Sequence, residues 1–239
     1  MLNYINQFYK EDDGGIMLSN QDTLRKTIGI TGMLLPVVIW LFVYVDSGFT
    51  TVFPSISHYY YSRACGVFEI VVGLIAIFLL IYKGHDPIDF YTSTLSGIGA
   101  LIMLLFPTNN LCNHYNQVYN TVAVTVLKDS DFRQHLHLAC AGVFLGALAF
   151  MSFFIFTMTD SKKHKTAQKI KRNLIYRICG IVMVAAMVFI LLAHIDIVNE
   201  DWFDNHCLTF WMEVVAVEAF GISWLIKGKS FFQDIEKSV

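Results

Sequence analysis

The sequence FPSISHYYYSRACGVFEIVVG, from Phe53 to Gly73, begins as a polar segment and ends inside an apolar helix. Its first half carries a proline, serines, a histidine and three consecutive tyrosines, which indicate an aqueous or interfacial loop. Its second half is apolar except for Glu69. A carboxylate surrounded by lipid is costly, so we expect Glu69 to face other helices, a cavity or a partner. The stretch therefore predicts a helical membrane protein with a polar surface at one membrane boundary.

The composition of the whole chain also indicates a membrane protein. Of its 239 residues, 55% are hydrophobic and only 15% are charged, whereas soluble domains carry about 25% charged residues. The mean hydropathy is +0.53. A formal net charge of −2 gives no electrostatic basis for binding nucleic acid. The absence of internal repeats and linker-like segments favours one compact domain.

Six apolar blocks predict six membrane-spanning helices. Each block approaches the ~20 residues that cross ~30 Å of hydrocarbon. The blocks are continuous rather than alternating, which favours α-helices over a β-barrel. The predicted fold is an all-α, polytopic membrane protein with a six-helix bundle within residues 27–228. The predicted spans cover residues 27–45, 64–82, 91–107, 135–158, 174–193 and 208–226.

The distribution of basic residues predicts the orientation of the chain. With the N-terminus inside, the inner side receives all but three of the 17 lysines and arginines, namely all but Arg63, Lys128 and Arg133. The positive-inside rule then places both tails, residues 1–26 and 229–239, in the cytoplasm. The basic loop Lys162–Arg172 is typical of an orientation signal, and an alternative role is binding of anionic lipid.

Histidines and acids concentrate on the predicted outer side. The histidines assigned to that side are His58, His114, His135, His137, His194 and His206. Glu69 and Glu213 each lie about five residues below the outer boundary, roughly 8 Å at helical rise, where a cavity can stay wet. We expect an outward-facing pocket without catalytic activity that binds a lipid headgroup, a small amine or a cation. Its predicted residues are Ser57, His58, Glu69, His135 and Glu213.

Three other interpretations remain open from the sequence. A zinc-dependent membrane hydrolase of lipid amides or esters would use His58, His135, His137 and Glu69 as candidate ligands. However, His135 and His137 diverge by about 200° on a helix, and the chain has no H-x-x-x-H motif. The same side chains can instead be structural, as interfacial caps and interhelical hydrogen bonds. An ion or proton pathway through Glu218 ranks last, because the inner halves of the helices are too apolar.

The nucleophiles and thiols give weaker signals. Ser55 and Ser57 stand beside His58, but their spacing does not suggest a catalytic triad. Cys112 and Cys207 fall in or beside outer loops and would be the pair to form a disulfide in an oxidising compartment, with unpaired packing as the alternative. The sequence leaves open whether the protein forms a homo-oligomer.

Several short motifs resemble the Frag/DRAM/Sfk superfamily of six-helix membrane proteins and its uncharacterised bacterial relatives. The shared features are the P-x-I-S segment (Pro54, Ile56, Ser57), a histidine opening the fourth helix (His135), a glutamate after an outer histidine (His206, then Glu213 or Glu218), and the closing FGISWLIKG, Phe220 to Gly228. The chain departs from the pattern at His58, where eukaryotic members more often have an acid.

The resemblance implies a lipid-related role in the membrane rather than a reaction. Members of this group are linked to membrane-lipid organisation and lipid-anchor remodelling, so membrane lipids are the partners it implies. No catalytic residue set carries over. The closing motif and the chain length favour a bacterial inner (plasma) membrane. A fainter similarity to ceramidase-type hydrolases would place Ser57, His58, His135 and His137 around zinc, although this chain lacks a seventh helix.

Overall fold

The computed structural model describes residues 21–84, 86–111, 117–158, 166–195 and 197–232. Throughout these ranges the regular structure is helical, with no β-strand. One isolated antiparallel bridge, between Ser62 and Ala123, links two connecting segments. The predicted all-α class is confirmed for the described residues. The tails 1–20 and 233–239 lie outside them.

Each of the six long helices overlaps one of the predicted apolar blocks. The helices of the described chain are α1 (Gln21–Ser47), α2 (Cys65–Ile81), α3 (Pro87–Leu105), α4 (Asp131–Phe150, continued by a π-helical turn Met151–Ile155), α5 (Ala167–His194), a short α6 (Glu200–Asn205) and α7 (Leu208–Lys227). Short 3₁₀ turns cover Ser57–Tyr61 and Gln117–Thr121.

Four helices begin before the apolar block that predicted them, because their first turns are polar. The Ser130 side chain accepts from the Arg133 backbone N–H at the start of α4, and Thr166 does the same for Lys169 at the start of α5. These N-caps satisfy backbone donors that a helix start leaves unpaired. A hydropathy block counts only the apolar turns that follow, so it places each of these helix starts too late.

Five of these helices are long and apolar enough to cross a membrane: α1, α3, α4 with its π-helical turn, α5 and α7. Helix α2 is apolar but has 17 residues. Large apolar side chains are exposed on the outside of every long helix, as a lipid-facing surface requires. Examples are Leu41, Ile77, Leu95, Val143, Ile181 and Val215. The chain is therefore a multi-pass integral membrane protein.

The six long helices form a closed ring in the order α1, α2, α3, α4, α5, α7, and α7 returns to pack against α1. Helices α1 and α7 approach closely through glycines: a Cβ on Gly29 would lie 2.8 Å from the backbone oxygen of Gly221. Such small residues let helix backbones come together where lipid provides no hydrophobic drive. The ring has two different ends, which we name the cap end and the basic end.

The basic end contains the start of α1, the end of α7 and Tyr82, the residue that follows α2. The Arg25 side chain, 4% exposed, pairs with Asp22 at 2.9 Å and donates to the Tyr82 hydroxyl at 3.1 and 3.2 Å. Asp22 also pairs with Lys229 at 2.7 Å. The fully buried Trp224 ring packs edge-on against Tyr82. Ion pairs and aromatic rings therefore fill this end.

The cap end is closed by residues 53–62, which fold into the mouth of the ring. Phe53, Tyr59 and Tyr61 have no exposed surface, and the Phe53 and Tyr59 rings stack at 4.4 Å. The Pro54 carbonyl accepts the Phe210 N–H at 2.9 Å, which attaches this segment to the first turn of α7. The expectation of an aqueous loop was wrong for residues 53–62, because the segment is buried. Burial of the aromatic rings is more favourable than exposure of the hydroxyl groups to water.

Candidate functional site

A cavity of about 140 Å³ lies directly beneath the cap segment. Its wall brings together the cap, α4, the end of α5, the α6 region and the first turns of α7. Apolar side chains, among them Leu138, Ile190 and Phe203, alternate with polar ones. The polar groups that matter most for chemistry are Ser55, Ser57, His58, His137, Asp204 and Glu213.

Ser57 and His137 form a hydrogen bond across this cavity. The His137 Nε2 atom lies 2.9 Å from Ser57 Oγ, and its Nδ1 atom lies 2.9 Å from the Phe106 carbonyl and 3.1 Å from the Met103 carbonyl. Carbonyl oxygens only accept, so Nδ1 must carry a proton. In the neutral ring Nε2 is then the acceptor, and the Ser57 hydroxyl donates to it. Both side chains are buried.

A second serine–histidine pair lies within the cap itself. Ser55 Oγ is 2.6 Å from His58 Nδ1 and 3.3 Å from the His58 backbone N–H. Because the backbone N–H donates to Ser55 Oγ, the serine's own proton is available for Nδ1. This arrangement holds the His58 ring at the start of the 3₁₀ turn, in the wall of the cavity.

The carboxylate of Glu213, a residue of α7, lies in the same wall of the cavity. Its Oε2 atom accepts the Ile56 backbone N–H at 2.5 Å, a charge-assisted hydrogen bond between residues 157 positions apart in sequence. One backbone donor compensates only part of a carboxylate's hydrogen-bonding capacity, because each oxygen accepts more than one bond. The Glu213 side chain lines the cavity, so its remaining hydrogen-bonding capacity is available there. The side chain is half-buried.

Three of the five predicted site residues line this cavity, and two do not. Ser57, His58 and Glu213 are brought together. Glu69 is exposed on α2, beside the Cys65 thiol, so the predicted pairing of Glu69 with Glu213 across the bundle does not occur. His135 is exposed on α4, because a step of two residues turns it away from the face that carries His137.

The structure adds lining residues that the sequence did not single out. Gln134 precedes His137 by three residues and therefore shares its face of α4. Its side-chain oxygen accepts from the Asn109 amide nitrogen at 2.5 Å. Thr108 and Thr209 add hydroxyl groups to the wall. Helical spacing from His137 could have identified Gln134, whereas the threonines carry no signal that distinguishes them from other outer threonines.

The predicted zinc ligands do not assemble into a site. His135 and Glu69 lie outside the cavity, and both ring nitrogens of His137 are engaged by hydrogen bonds. Among the described residues, no three His, Cys, Asp or Glu side chains are arranged to hold a metal ion. The four candidate ligands therefore do not converge on one point in the part of the chain that the structure describes.

The remaining outer residues divide between described and undescribed positions. Cys207 is a free thiol whose Sγ lies 3.8 Å from the Tyr119 hydroxyl. His194 lines the cavity, whereas His206 is exposed and contacts the Trp202 carbonyl. The predictions that involve Cys112 and His114 fall outside the described residues, as does the 162–165 part of the basic loop.

No protein-family model, curated protein or solved structure matches this chain. The resemblance to the Frag/DRAM/Sfk superfamily therefore stays a prediction from short motifs. The function has to be argued from the cavity.

Proposed function

We propose that all six long helices span the membrane, with the basic end in the cytoplasm and the cap end outside. Helix α2 has to be included, because it completes the ring between α1 and α3 and carries exposed apolar residues on its outer side. The charges support the orientation. Arg25, Lys227 and Lys229 gather at the basic end, and positive residues are retained on the cytoplasmic side. A plasma membrane, the inner membrane of a bacterium, fits this placement.

We propose that the cavity binds a small amine, either free or as the headgroup of a lipid. The observation that carries this proposal is the Glu213 carboxylate in the wall of the cavity, which accepts a single backbone N–H. None of the described lining residues is a lysine or an arginine, and Asp204 adds a second carboxylate. A neutral His137 ring can make all of its hydrogen bonds in this wall. A cationic ligand would therefore supply the charge that the wall lacks.

The size of the cavity limits the ligand. Its volume, about 140 Å³, is close to that of the engineered ~150 Å³ cavity that holds benzene. A group of about six non-hydrogen atoms is therefore the upper range. An ethanolamine group fits this limit, and a whole phospholipid does not. A lipid would insert only its headgroup and leave its chains along the apolar outside of the ring.

Native mass spectrometry of the full chain in mild detergent tests this proposal. Ethanolamine and phosphatidylethanolamine are added separately to wild type, Glu213→Gln and Glu69→Gln. The side-chain amide introduced by Glu213→Gln still accepts from Ile56 but carries no charge, so we expect about 10–100-fold weaker binding of the amine. Glu69→Gln removes an acid of the same half of the membrane that does not line the cavity, and it should bind like wild type.

The outcomes also distinguish the source of the amine. Binding of phosphatidylethanolamine but not ethanolamine identifies a headgroup site, and the reverse identifies a free-amine site. Equal binding by Glu213→Gln and Glu69→Gln, or binding by neither wild type nor variant, contradicts the proposal.

A further inference from the structure

We propose that Ser57 is a nucleophile activated by His137, and that the cavity hydrolyses a small carboxylic ester. The pairing itself rests on geometry alone. Only the substrate class rests on the proposed amine site. Sequence spacing could not have suggested this Ser57–His137 dyad, because its two residues are 80 positions apart.

The hydrogen bonds of the dyad have the directions that nucleophilic catalysis requires. The Ser57 hydroxyl donates to His137 Nε2 at 2.9 Å, within the range of a working nucleophile–base pair. The Nδ1–H of the same ring is held by backbone carbonyls, which fixes both the tautomer and the ring orientation. In serine hydrolases a carboxylate takes this orienting role. Here the carbonyls of Met103 and Phe106 take it.

Met103 lies in the last turn of α3, which ends at Leu105, and Phe106 is the C-cap residue that follows it. The last carbonyls of a helix lack intrahelical partners and carry the negative end of the helix dipole. They therefore stabilise positive charge on His137 at the moment when it takes the serine proton. The position of α3 thus provides both orientation and electrostatic stabilisation without a third acidic side chain.

The cavity wall also offers a donor for a developing oxyanion. The Gln134 side-chain oxygen accepts from the Asn109 amide, and the two N–H bonds of the Gln134 amide nitrogen are the donors of this side chain. Gln134 lies one turn before His137 on α4 and lines the same cavity. Side-chain amides serve as oxyanion donors in acyl transfer. The geometry therefore supplies a nucleophile, a base, an orienting group and an oxyanion donor around one small space.

The reaction proceeds in two balanced halves. Ser57 Oγ bonds to the ester carbonyl carbon while its proton passes to His137 Nε2. The carbon–oxygen bond to the alcohol then breaks, and His137 returns the proton to the leaving alkoxide. A water molecule attacks the acyl-serine and gives a proton to His137. The Ser57–acyl bond breaks, Ser57 recovers that proton, and the products are one carboxylic acid and one alcohol.

The substrate class follows from the neighbours of Ser57. The Ile56 N–H holds Glu213, and Ser57 is the next residue, so the amine site and the nucleophile are adjacent. An ester that carries an amine can place its cation at Glu213 and its carbonyl at Ser57. The cavity volume restricts the part beside Ser57 to a short acyl group or a small amino alcohol.

A fluorophosphonate probe on the purified full chain tests the nucleophile directly. We expect wild type to be labelled, peptide mapping to place the label on Ser57, and Ser57→Ala to reduce labelling by about 100-fold or more. Ser152→Ala is the matched control, because Ser152 is a buried serine that donates to the Tyr176 carbonyl away from the cavity. It should be labelled like wild type. His137→Gln should slow labelling strongly, since the base is lost.

Two further measurements distinguish a failure of this inference from a failure of the proposed amine site. Release of acetic acid from methyl acetate, an ester within the size limit of the cavity, should be catalysed by wild type and lost in Ser57→Ala. Ethanolamine binding is measured on the same wild-type sample: labelling of Ser57 without ethanolamine binding refutes the amine site alone, and ethanolamine binding without labelling refutes the nucleophile alone. Mapping of the label in wild type decides the matter even if a variant fails to fold. Absence of label on Ser57, or ester cleavage equal in wild type and Ser57→Ala, overturns the inference.

Discussion

The two ends of the helix ring differ in how completely the protein compensates the charged side chains inside the bundle. At the basic end, Arg25 meets Asp22 and Tyr82, and aromatic rings fill the space around them. At the cap end, Glu213 meets one backbone N–H and faces a cavity. Charges that the protein compensates itself serve stability. A charge that it compensates only in part is available to a ligand.

The comparison predicts that substitutions at the two ends separate stability from binding. A variant at the basic end should unfold more easily without changing the affinity for an amine. A variant in the cavity should lose affinity while the fold persists.

Arg25→Leu should have the largest effect on stability. Removing one partner of a buried ion pair costs about 3–5 kcal/mol, and Asp22 and the Tyr82 hydroxyl would both lose a donor. We expect the lower part of this range, because Asp22 keeps Lys229. Thermal unfolding in detergent measures the loss, with the exposed Lys171→Leu as control. Unchanged unfolding in Arg25→Leu would contradict a structural role for the basic end.

Glu213→Gln should show the opposite pattern. The loss of a charge-assisted contact with the amine corresponds to about 1.5–3 kcal/mol of binding free energy, whereas the unfolding temperature should stay near that of wild type because the amide still accepts from Ile56. Titration with ethanolamine and a thermal unfolding scan on the same sample test both parts. A large fall in the unfolding temperature would make Glu213 a structural residue.

Gly29→Ala tests the close backbone packing in the basic half of the ring. The added methyl would lie 2.8 Å from the Gly221 carbonyl, so α1 or α7 must shift. We expect a loss of about 1–2 kcal/mol, typical of mild overpacking. Gly142→Ala is the matched control, since a Cβ there meets nothing within 4 Å, and it should be neutral or slightly stabilising. Equal behaviour of the two variants would contradict the helix contact.

Tyr61→Phe should have the smallest effect. It removes a hydrogen bond to the Thr108 carbonyl, 2.5 Å long, which contributes about 1 kcal/mol. Burial raises the pKa of Tyr61 to about 12, from 10.0. The contribution of this hydroxyl to the free energy of unfolding is complete below pH 10 and is lost as the pH rises through 12. The reason is that this tyrosine ionises at a lower pH in the unfolded chain than in the folded protein. Unfolding scans from pH 9 to 12 should show a smaller loss in Tyr61→Phe than in wild type or in the control Tyr91→Phe at an exposed tyrosine, because the other buried tyrosines keep their own contribution.

The sequence was most informative where hydrophobicity alone decides the structure. Long apolar blocks determine where helices lie, and the blocks predicted all six long helices. The phase of α2 was not predictable, because that helix is apolar all round and carries no amphipathic signal. Its buried stripe runs through Phe68, Val72 and Leu79, so Glu69, one residue further on, faces away from the ring. The prediction that Glu69 shares the cavity failed for this reason.

The cavity was predictable in kind but not in its pairings. Polar residues near one membrane boundary indicated an outer pocket, and Ser57, His58 and Glu213 do line one. The bonds from Ser57 to His137 and from Ile56 to Glu213 join residues 80 and 157 positions apart. Such contacts depend on how the ring closes and on the inward fold of the cap segment, and local spacing does not encode either.

Accessibility of a cysteine in the cavity wall tests most directly whether a cation-accepting cavity opens to the outside. Thr209 lines the cavity, and Lys171 is exposed at the basic end. Intact cells that express Thr209→Cys or Lys171→Cys are treated with a membrane-impermeant, positively charged thiol reagent. We predict labelling of Thr209→Cys above the wild-type background, protection by ethanolamine, and no added labelling of Lys171→Cys. Labelling of Lys171→Cys but not of Thr209→Cys would show that the orientation is the opposite of the one proposed. Labelling of Thr209→Cys that ethanolamine does not reduce would contradict the amine site.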